Sequence, residues 1–199
     1  MASKPRKDVV KNDRRILRAA GDLIRIDPDN LTIAAVAERA GLSVPTVYRY
    51  YSSAEVLRGR YMAEVDQQIR DYSHECDTAG TALFDDVLSE WGRIIEVYGP
   101  GLVQLRSRSG FLARLNGGDP TMQMLREAWE RPIRRVLRAN DIDGSYFEGA
   151  LFLLNMMFDP RELLDLTARG NSMEQTIGIM KTAYLGAIRA WRDQDTPTV

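Results

Sequence analysis

The 199-residue chain has one cysteine, Cys76, and one histidine, His74. A lone cysteine cannot close an intrachain disulfide, which suits a reducing compartment. His74, Cys76 and the adjacent Asp77 are too few and too crowded for a tetrahedral site, so no metal is expected. No apolar run reaches the roughly eighteen residues of a membrane span, and the charged start MASKPRKDVVKNDRR lacks the apolar stretch of a signal peptide. A cytoplasmic protein that does not enter a membrane is expected. Also missing are a glycine-rich phosphate loop and a nucleophile elbow, the parts that an enzyme on this scale would show; no enzymatic activity and no cofactor are expected. No valine- and isoleucine-rich alternation of strand type occurs, and no internal repeat, which excludes a sheet and a solenoid.

What is present is ordinary globular material, 44% apolar and 28% charged, enough to bury a core. Basic and acidic residues nearly balance overall, but not locally. Residues 1–60 hold 12 basic and 7 acidic side chains, the rest 15 and 21. Such a split suits an anion-binding head on an acidic body, although Lys4, Arg6, Lys7, Lys11, Arg14 and Arg15 also read as a solvated basic tail.

Helical spacing runs throughout, so the fold class is all-α. Asn12 or Asp13 can cap a first helix with Ile16, Ala20, Leu23 and Ile24 inward, stopped by Asp27-Pro28-Asp29-Asn30. Thr32 caps a short second helix with Ile33, Val36, Ala37 and Ala40 on one face, and Gly41 suits a left-handed stop. Ser43 caps a third, with Pro45 tolerated in its first turn. Ser52 and Glu55 read as a capping box for a long fourth helix carrying Leu57, Tyr61, Val65, Ile69 and Tyr72 along one side. A fifth spans about Thr81 to Tyr98, with Phe84, Val87, Leu88, Trp91 and Ile95 inward and Gly99-Pro100-Gly101 as its break. Further helices are expected near 121–139, 144–158, 160–169 and 172–192. Pro132 is a kink point, and Gly170 ends the 160–169 helix.

Ala37, Gly41 and Val47 are spaced four and then six apart. A helix-turn-helix needs a small residue at the crossing, a glycine in the turn and an apolar residue inside the second helix at that spacing. With Val47 and Tyr51 inward, Val44, Pro45, Thr46, Tyr48, Arg49 and Tyr50 face out, where a major groove would lie.

Residues 14–57, RRILRAAGDLIRIDPDNLTIAAVAERAGLSVPTVYRYYSSAEVL, resemble the TetR family, whose pattern runs from a capping threonine through an Ala-Gly turn to Thr-x-Tyr-x-(His or aromatic)-aromatic. The resemblance implies an N-terminal three-helix DNA-binding domain, residues 1–52, and a helical-bundle domain for ligand binding and dimerisation, residues 53–199. It implies a DNA-binding set of Thr32, Ser43, Val44, Pro45, Thr46, Tyr48, Arg49 and Tyr50. Thr32, at a helix N-terminus, and Tyr48 and Tyr50 would touch phosphates. Val44, Pro45 and Thr46 would approach base edges. Arg49 admits two readings, a guanine contact or a solvated charge. Ala54 departs from the family's usual lysine, so one phosphate contact is missing or has moved to Arg58. The partners implied are double-stranded DNA with a palindromic operator, a small-molecule effector and a second copy of the chain. The function implied is that of a repressor released by a small apolar or aromatic effector; an enzyme or a non-regulatory DNA-binding protein on a helical bundle is the alternative.

The last helix carries Gly178, Thr182, Gly186 and Ala190 at intervals of four, with Ala183 and Ala187 beside them. Ile177, Met180, Tyr184, Ile188 and Trp191 form the neighbouring stripe. A four-helix dimer interface from helices 144–158 and 172–192 is expected, with packing inside one chain as the other reading. Trp91, Tyr98, Met122, Trp129, Phe152 and Asn155 are the effector-binding candidates, aromatic and flexible side chains plus an amide that interrupts an apolar run. Arg106 and Arg108 are possible anchors for an acidic effector, or exposed charges.

Overall fold

The computed structural model describes residues 4–27, 31–104 and 110–192, and among these every regular element is helical. The expected all-α class is the observed one. Among the described residues ten α-helices follow one another: α1 Lys4–Ile26, α2 Ile33–Ala40, α3 Val44–Tyr50, α4 Ala54–Glu75, α5 Ala82–Gln104, α6 Phe111–Asn116, α7 Pro120–Ala139, α8 Phe147–Met157, α9 Pro160–Thr167 and α10 Met173–Arg189. A 3-10 turn, Gly144–Tyr146, leads into α8. No described helix is long and apolar enough to cross a membrane.

Most boundaries follow local chemistry. Asp119 and Asp159 accept backbone N–H bonds at the starts of α7 and α9, each followed by a proline whose missing N–H is not needed there. Ser172 and Gln175 form a reciprocal capping box on α10. Four expectations are corrected. α1 begins at Lys4, eight residues before Asn12, because no breaker interrupts it and the Asp13 carboxylate is taken by the Tyr51 hydroxyl instead of a cap. The cap of α4 is Ser53, which accepts from the Val56 N–H at 3.2 Å, so the Ser52–Glu55 box is absent. Gly99-Pro100-Gly101 does not break α5: a Cβ on Gly99 would stand 2.9 Å from Leu164 and one on Gly101 2.1 Å from Ile24, so the glycines serve close packing that outweighs their weak propensity. The short α6, with Phe111 and Leu115 buried, falls where no helix was expected. Pro132 lies buried within α7, which continues past it, and Pro28, Asp29 and Asn30 lie outside the described residues.

Two compact units emerge, Met1–Glu64 with Pro100–Arg106, and Val65–Gly99 with Ser107–Val199. The first takes in the first half of α4 and the end of α5, beyond the 1–52 segment read from the sequence. Its core is Ile16, Ala20 and Ile24 of α1, Val36 and Ala37 of α2, Val47 of α3 and Leu57 of α4, all essentially inaccessible. Gly21 makes room for Tyr61, whose Cε2 would stand 2.8 Å from a Cβ there. The second unit centres on Phe84, Trp129, Phe158 and Tyr184; Phe84 stacks on Tyr184 at 5.4 Å, and Trp129 meets Phe84 edge-on at 6.1 Å.

Candidate functional site

The helix-turn-helix is built by single residues acting locally. The Thr32 hydroxyl accepts from the Ala35 N–H at 3.1 Å and starts α2. At its other end Gly41 takes φ +62°, a left-handed conformation that L side chains rarely adopt, and the Leu42 N–H returns to the Ala37 carbonyl at 2.9 Å. The Arg15 guanidinium donates to the Ala40 and Gly41 carbonyls at 2.6 and 3.2 Å, adding a cation at the negative end of α2. Arg15 is therefore part of the turn, not only of a solvated tail. Ser43 caps α3 and shares a 2.8 Å hydroxyl pair with Thr46.

The third helix sorts as the spacing predicted. Val47 and Tyr51 are buried, whereas Ser43, Val44, Pro45, Tyr48 and Arg49 are exposed and Thr46 and Tyr50 half-buried. Tyr48 keeps 54% of its surface exposed. Tyr51 belongs to the core: its hydroxyl donates to Asp13, and burial with that carboxylate pushes its pKa up. On α1 Lys11, Arg14 and Arg18 are exposed, while Arg25 and Arg39 pair with Asp22 at 2.9 and 3.3 Å.

In the second unit the effector candidates fall into two groups. Trp91 and Trp129 are buried among Phe84, Phe158 and Tyr184, and the Trp91 indole N–H donates to the Phe158 carbonyl at 2.9 Å. Phe152, half-buried, lies two helical turns away on α8, with its ring 6.4 Å from that of Phe111. Met122 is buried in the first turn of α7, and Tyr98 is half-buried on α5. Asn155 is half-exposed instead of buried, and no hydrogen bond of its side chain occurs among the described residues. The expectation that Asn155 is a buried amide, with a ligand or a second subunit as its partner, is corrected as to its burial. Arg106 and Arg108 lie outside the described residues.

Sequence reasoning missed Asp66 on α4. Its side chain is only 6% exposed, and Oδ2 has no hydrogen-bond partner among the described residues. Burial raises its pKa to about 7, with Arg114 lowering it and Asp119 raising it. The signal was faint: Asp66 follows Val65 in a stripe that places Val65 and Ile69 in the core.

Among the described residues nothing covers the small-residue face of α10. Gly178, Thr182, Ala183, Gly186, Ala187 and Ala190 are exposed, and nothing lies within 4 Å of a Cβ built on Gly178 or Gly186. Ile177, Tyr184 and Ile188, expected beside it, are spent inside the unit; the Tyr184 hydroxyl donates to the Ala150 carbonyl at 3.1 Å. Trp191 stacks on Tyr146 at 5.4 Å. Ile179 on α10 and Met156 on α8 stay 56% and 53% exposed.

The helix-turn-helix and the fold have counterparts among known proteins. The family model for bacterial regulatory proteins of the tetR family matches residues 16–59. A tetR-family transcriptional regulator from Streptomyces coelicolor superposes with a TM-score of 0.65 at 20% identity, over 92% of this chain and 83% of that one. A candidate transcriptional regulator from Pseudomonas aeruginosa PAO1 does so with a TM-score of 0.63 at 12% identity, over 95% and 93%. At these identities the two structures speak for the fold. No curated protein sequence matches the chain. Residues 16–59, which build the helix-turn-helix, match the DNA-binding domain of the tetR family of bacterial regulatory proteins.

Proposed function

We propose that this regulator is a repressor, a cytoplasmic homodimer that occupies a palindromic operator and leaves it when a small apolar or aromatic effector binds its C-terminal domain. The observation that carries the DNA half is the outer face of α3, where Val44, Pro45, Tyr48 and Arg49 stand exposed around a buried Val47. Exposed apolar and aromatic side chains on so short a helix do nothing for the fold of the monomer. In this reading Thr32, Tyr48 and Tyr50 hold phosphates and fix the register. Val44, Pro45 and Thr46 meet base edges, with Ser43 and Arg49 flanking them.

The dimer half is supported by the uncovered small-residue face of α10, which a second copy approaches closely, with α8 completing a four-helix interface. The effector half is supported by the side chains of the second unit, Trp91, Tyr98, Met122, Trp129, Phe152 and Asn155, and by α4, whose residues belong partly to each unit. A ligand that displaces α4 changes the separation of the two heads; roughly 1–3 kcal/mol, or about 5–150-fold in affinity, is the usual scale of such coupling.

Selection from random duplexes tests the assignment. The wild-type protein is expected to return an inverted repeat with half-sites about one helical turn apart. Thr46→Ala should change the preferred bases, whereas Tyr48→Ala should weaken binding to all sequences alike. Recovery of no preferred sequence, or a Tyr48→Ala variant with a new preference at full affinity, would overturn the reading.

A further inference from the structure

Resting on the effector reading above, we propose that Asp66 anchors the cationic head of the effector, so that the ligand class is an organic amine with an apolar body. The carboxylate is almost wholly buried, and its Oδ2 has no hydrogen-bond partner among the described residues. A carboxylate in that state is costly to keep, and only a proton, a donor or a cation offsets the cost.

The cations near Asp66 are engaged elsewhere. Arg114 of α6 donates from Nε to Asp119 Oδ2 at 2.9 Å, while Asp119 Oδ1 accepts from the N–H groups of Thr121 and Met122 and starts α7. Arg70, one turn further along α4, is paired with Asp71 at 3.0 Å and Glu127 at 3.7 Å. The charged groups acting on Asp66 are Arg114, which favours its ionised form, and Asp119, which opposes it. Arg114 is paired with Asp119 and gives Asp66 Oδ2 no hydrogen bond.

The surroundings of that pair are apolar. Phe111 and Leu115 are buried on α6 to either side of Arg114, Met122 is buried one turn after Asp119, and the Phe152 ring lies 6.4 Å from Phe111. Those side chains offer an aromatic or alkyl body apolar contact, and a protonated amine would supply Asp66 with the partner it lacks. Because burial holds the Asp66 pKa near 7, the ionised form that receives an amine is the major one at pH 8 and the minor one at pH 6.

Three probes with one body separate the head group from the pocket: 4-phenylbutylamine, 4-phenylbutanol and 4-phenylbutyrate, titrated calorimetrically into the full-length protein at pH 8 and pH 6. The amine is expected to bind at least about tenfold tighter than the alcohol at pH 8, with the carboxylate weakest. Its affinity should fall about tenfold by pH 6, the ratio of ionised fractions, while the alcohol's stays level. In Asp66→Asn, checked for retained helicity, amine and alcohol should bind alike and without pH dependence. Equal binding of amine and alcohol by the wild-type protein overturns the Asp66 proposal and leaves the effector site standing, as does an amine preference that survives in Asp66→Asn. Should the variant fail to fold, a pH-independent amine affinity of the wild-type protein overturns it as well. If none of the three binds, the effector reading falls, and this inference with it.

Discussion

In the first unit the polar groups of the turn are closed on one another: Thr32 on the Ala35 N–H, Ser43 on Thr46, Arg15 on the carbonyls ending α2, Tyr51 on Asp13. In the second unit Asp66 Oδ2, Ser73 Oγ and Thr176 Oγ1 are buried without a hydrogen-bond partner among the described residues. Satisfied polar networks fix one arrangement, and unsatisfied ones keep a free-energy cost that a proton, a ligand or a shift of packing can remove. The turn of the head is thus held by closed polar contacts, and its outward face carries the proposed DNA contacts. The body holds its open positions inside, at Asp66, and on the bare flank of α10. A regulator of this kind needs both, a reader that does not deform and a domain with something left to gain from binding.

The largest expected effect comes from that flank. Gly186→Leu adds a side chain where none of the described residues stands within 4 Å, so the monomer should fold as before. If α10 meets a second copy there, dimerisation is lost, and with it the gain from linking two heads, about 10²–10⁴-fold in operator affinity. Sedimentation of the variant as a wild-type-like dimer would move the interface elsewhere and leave the two units differing only in their interiors.

Next in size is the open carboxyl. The folded-state pKa of Asp66, about 7, lies above its unfolded value of 3.8, so the native state holds a proton that the unfolded chain releases. Its contribution to stability is therefore complete below about pH 4 and lost as pH rises through 7, on the order of 4 kcal/mol at most. Asp66→Asn abolishes that loss. Thermal melts should show the variant gaining on the wild type from pH 5 to pH 8 by roughly 2–3 kcal/mol, on top of a pH-independent cost of burying the amide. A constant difference across that range would mean the carboxyl is solvated and the contrast between the units is weaker than drawn.

The packing of the head gives the third. A Cβ at Gly21 meets Tyr61 Cε2 at 2.8 Å, against a ring that is itself buried, so Gly21→Ala should destabilise the protein by about 1–3 kcal/mol despite its better helix propensity. By contrast Gly59→Ala, where nothing lies within 4 Å, should stabilise it by up to about 1 kcal/mol. Chemical denaturation of the pair reads both signs; a stabilised Gly21→Ala would show the head to be looser than its contacts imply.

What could be read ahead of the structure follows the same division. The helix-turn-helix was legible because each boundary is written in one residue with a local mechanism: Thr32, Gly41, Ser43 and Pro45 act within a turn of themselves. The α4 cap slipped from Ser52 to Ser53 because two adjacent serines offer the same chemistry, and only the helix phase chooses. Gly99-Pro100-Gly101 looked like a break because its role is tertiary, a close approach to Leu164 and Ile24 that no window of sequence contains. Asp66 was invisible for the same reason, since a single carboxylate on a mixed helix is ordinarily solvated. Tyr72, expected inward with Val65 and Ile69, is 37% exposed, the far end of a stripe whose cover gives out. For α10 the small face was readable but its neighbour was not: Ile177, Tyr184 and Ile188 serve the interior, and the bare side is the glycine side.

The smallest effect on stability separates a cap that only caps from one that also reads DNA. Thr32 and Ser172 have the same local duty, each accepting a backbone N–H at 3.1 Å at the start of a helix. Replacing either by alanine should cost about 1 kcal/mol of stability. Ser172 has a reciprocal partner in Gln175, which retains the other half of the box as an acceptor for the residue 172 N–H. Thr32 is exposed, and its hydroxyl, while accepting from Ala35, still has its own proton to donate. In the proposed complex a phosphate oxygen at the N-terminus of α2 is its acceptor. Well below the melting temperature a loss of about 1 kcal/mol leaves the protein folded, so Ser172→Ala should bind operator as the wild type does. Thr32→Ala should bind about tenfold more weakly to every sequence, with the order of preferred operators unchanged, because a charge-assisted hydrogen bond to phosphate is lost on each head. Equal operator affinities for the two variants would leave Thr32 as a cap alone and shift the phosphate contacts of the head onto Tyr48 and Tyr50.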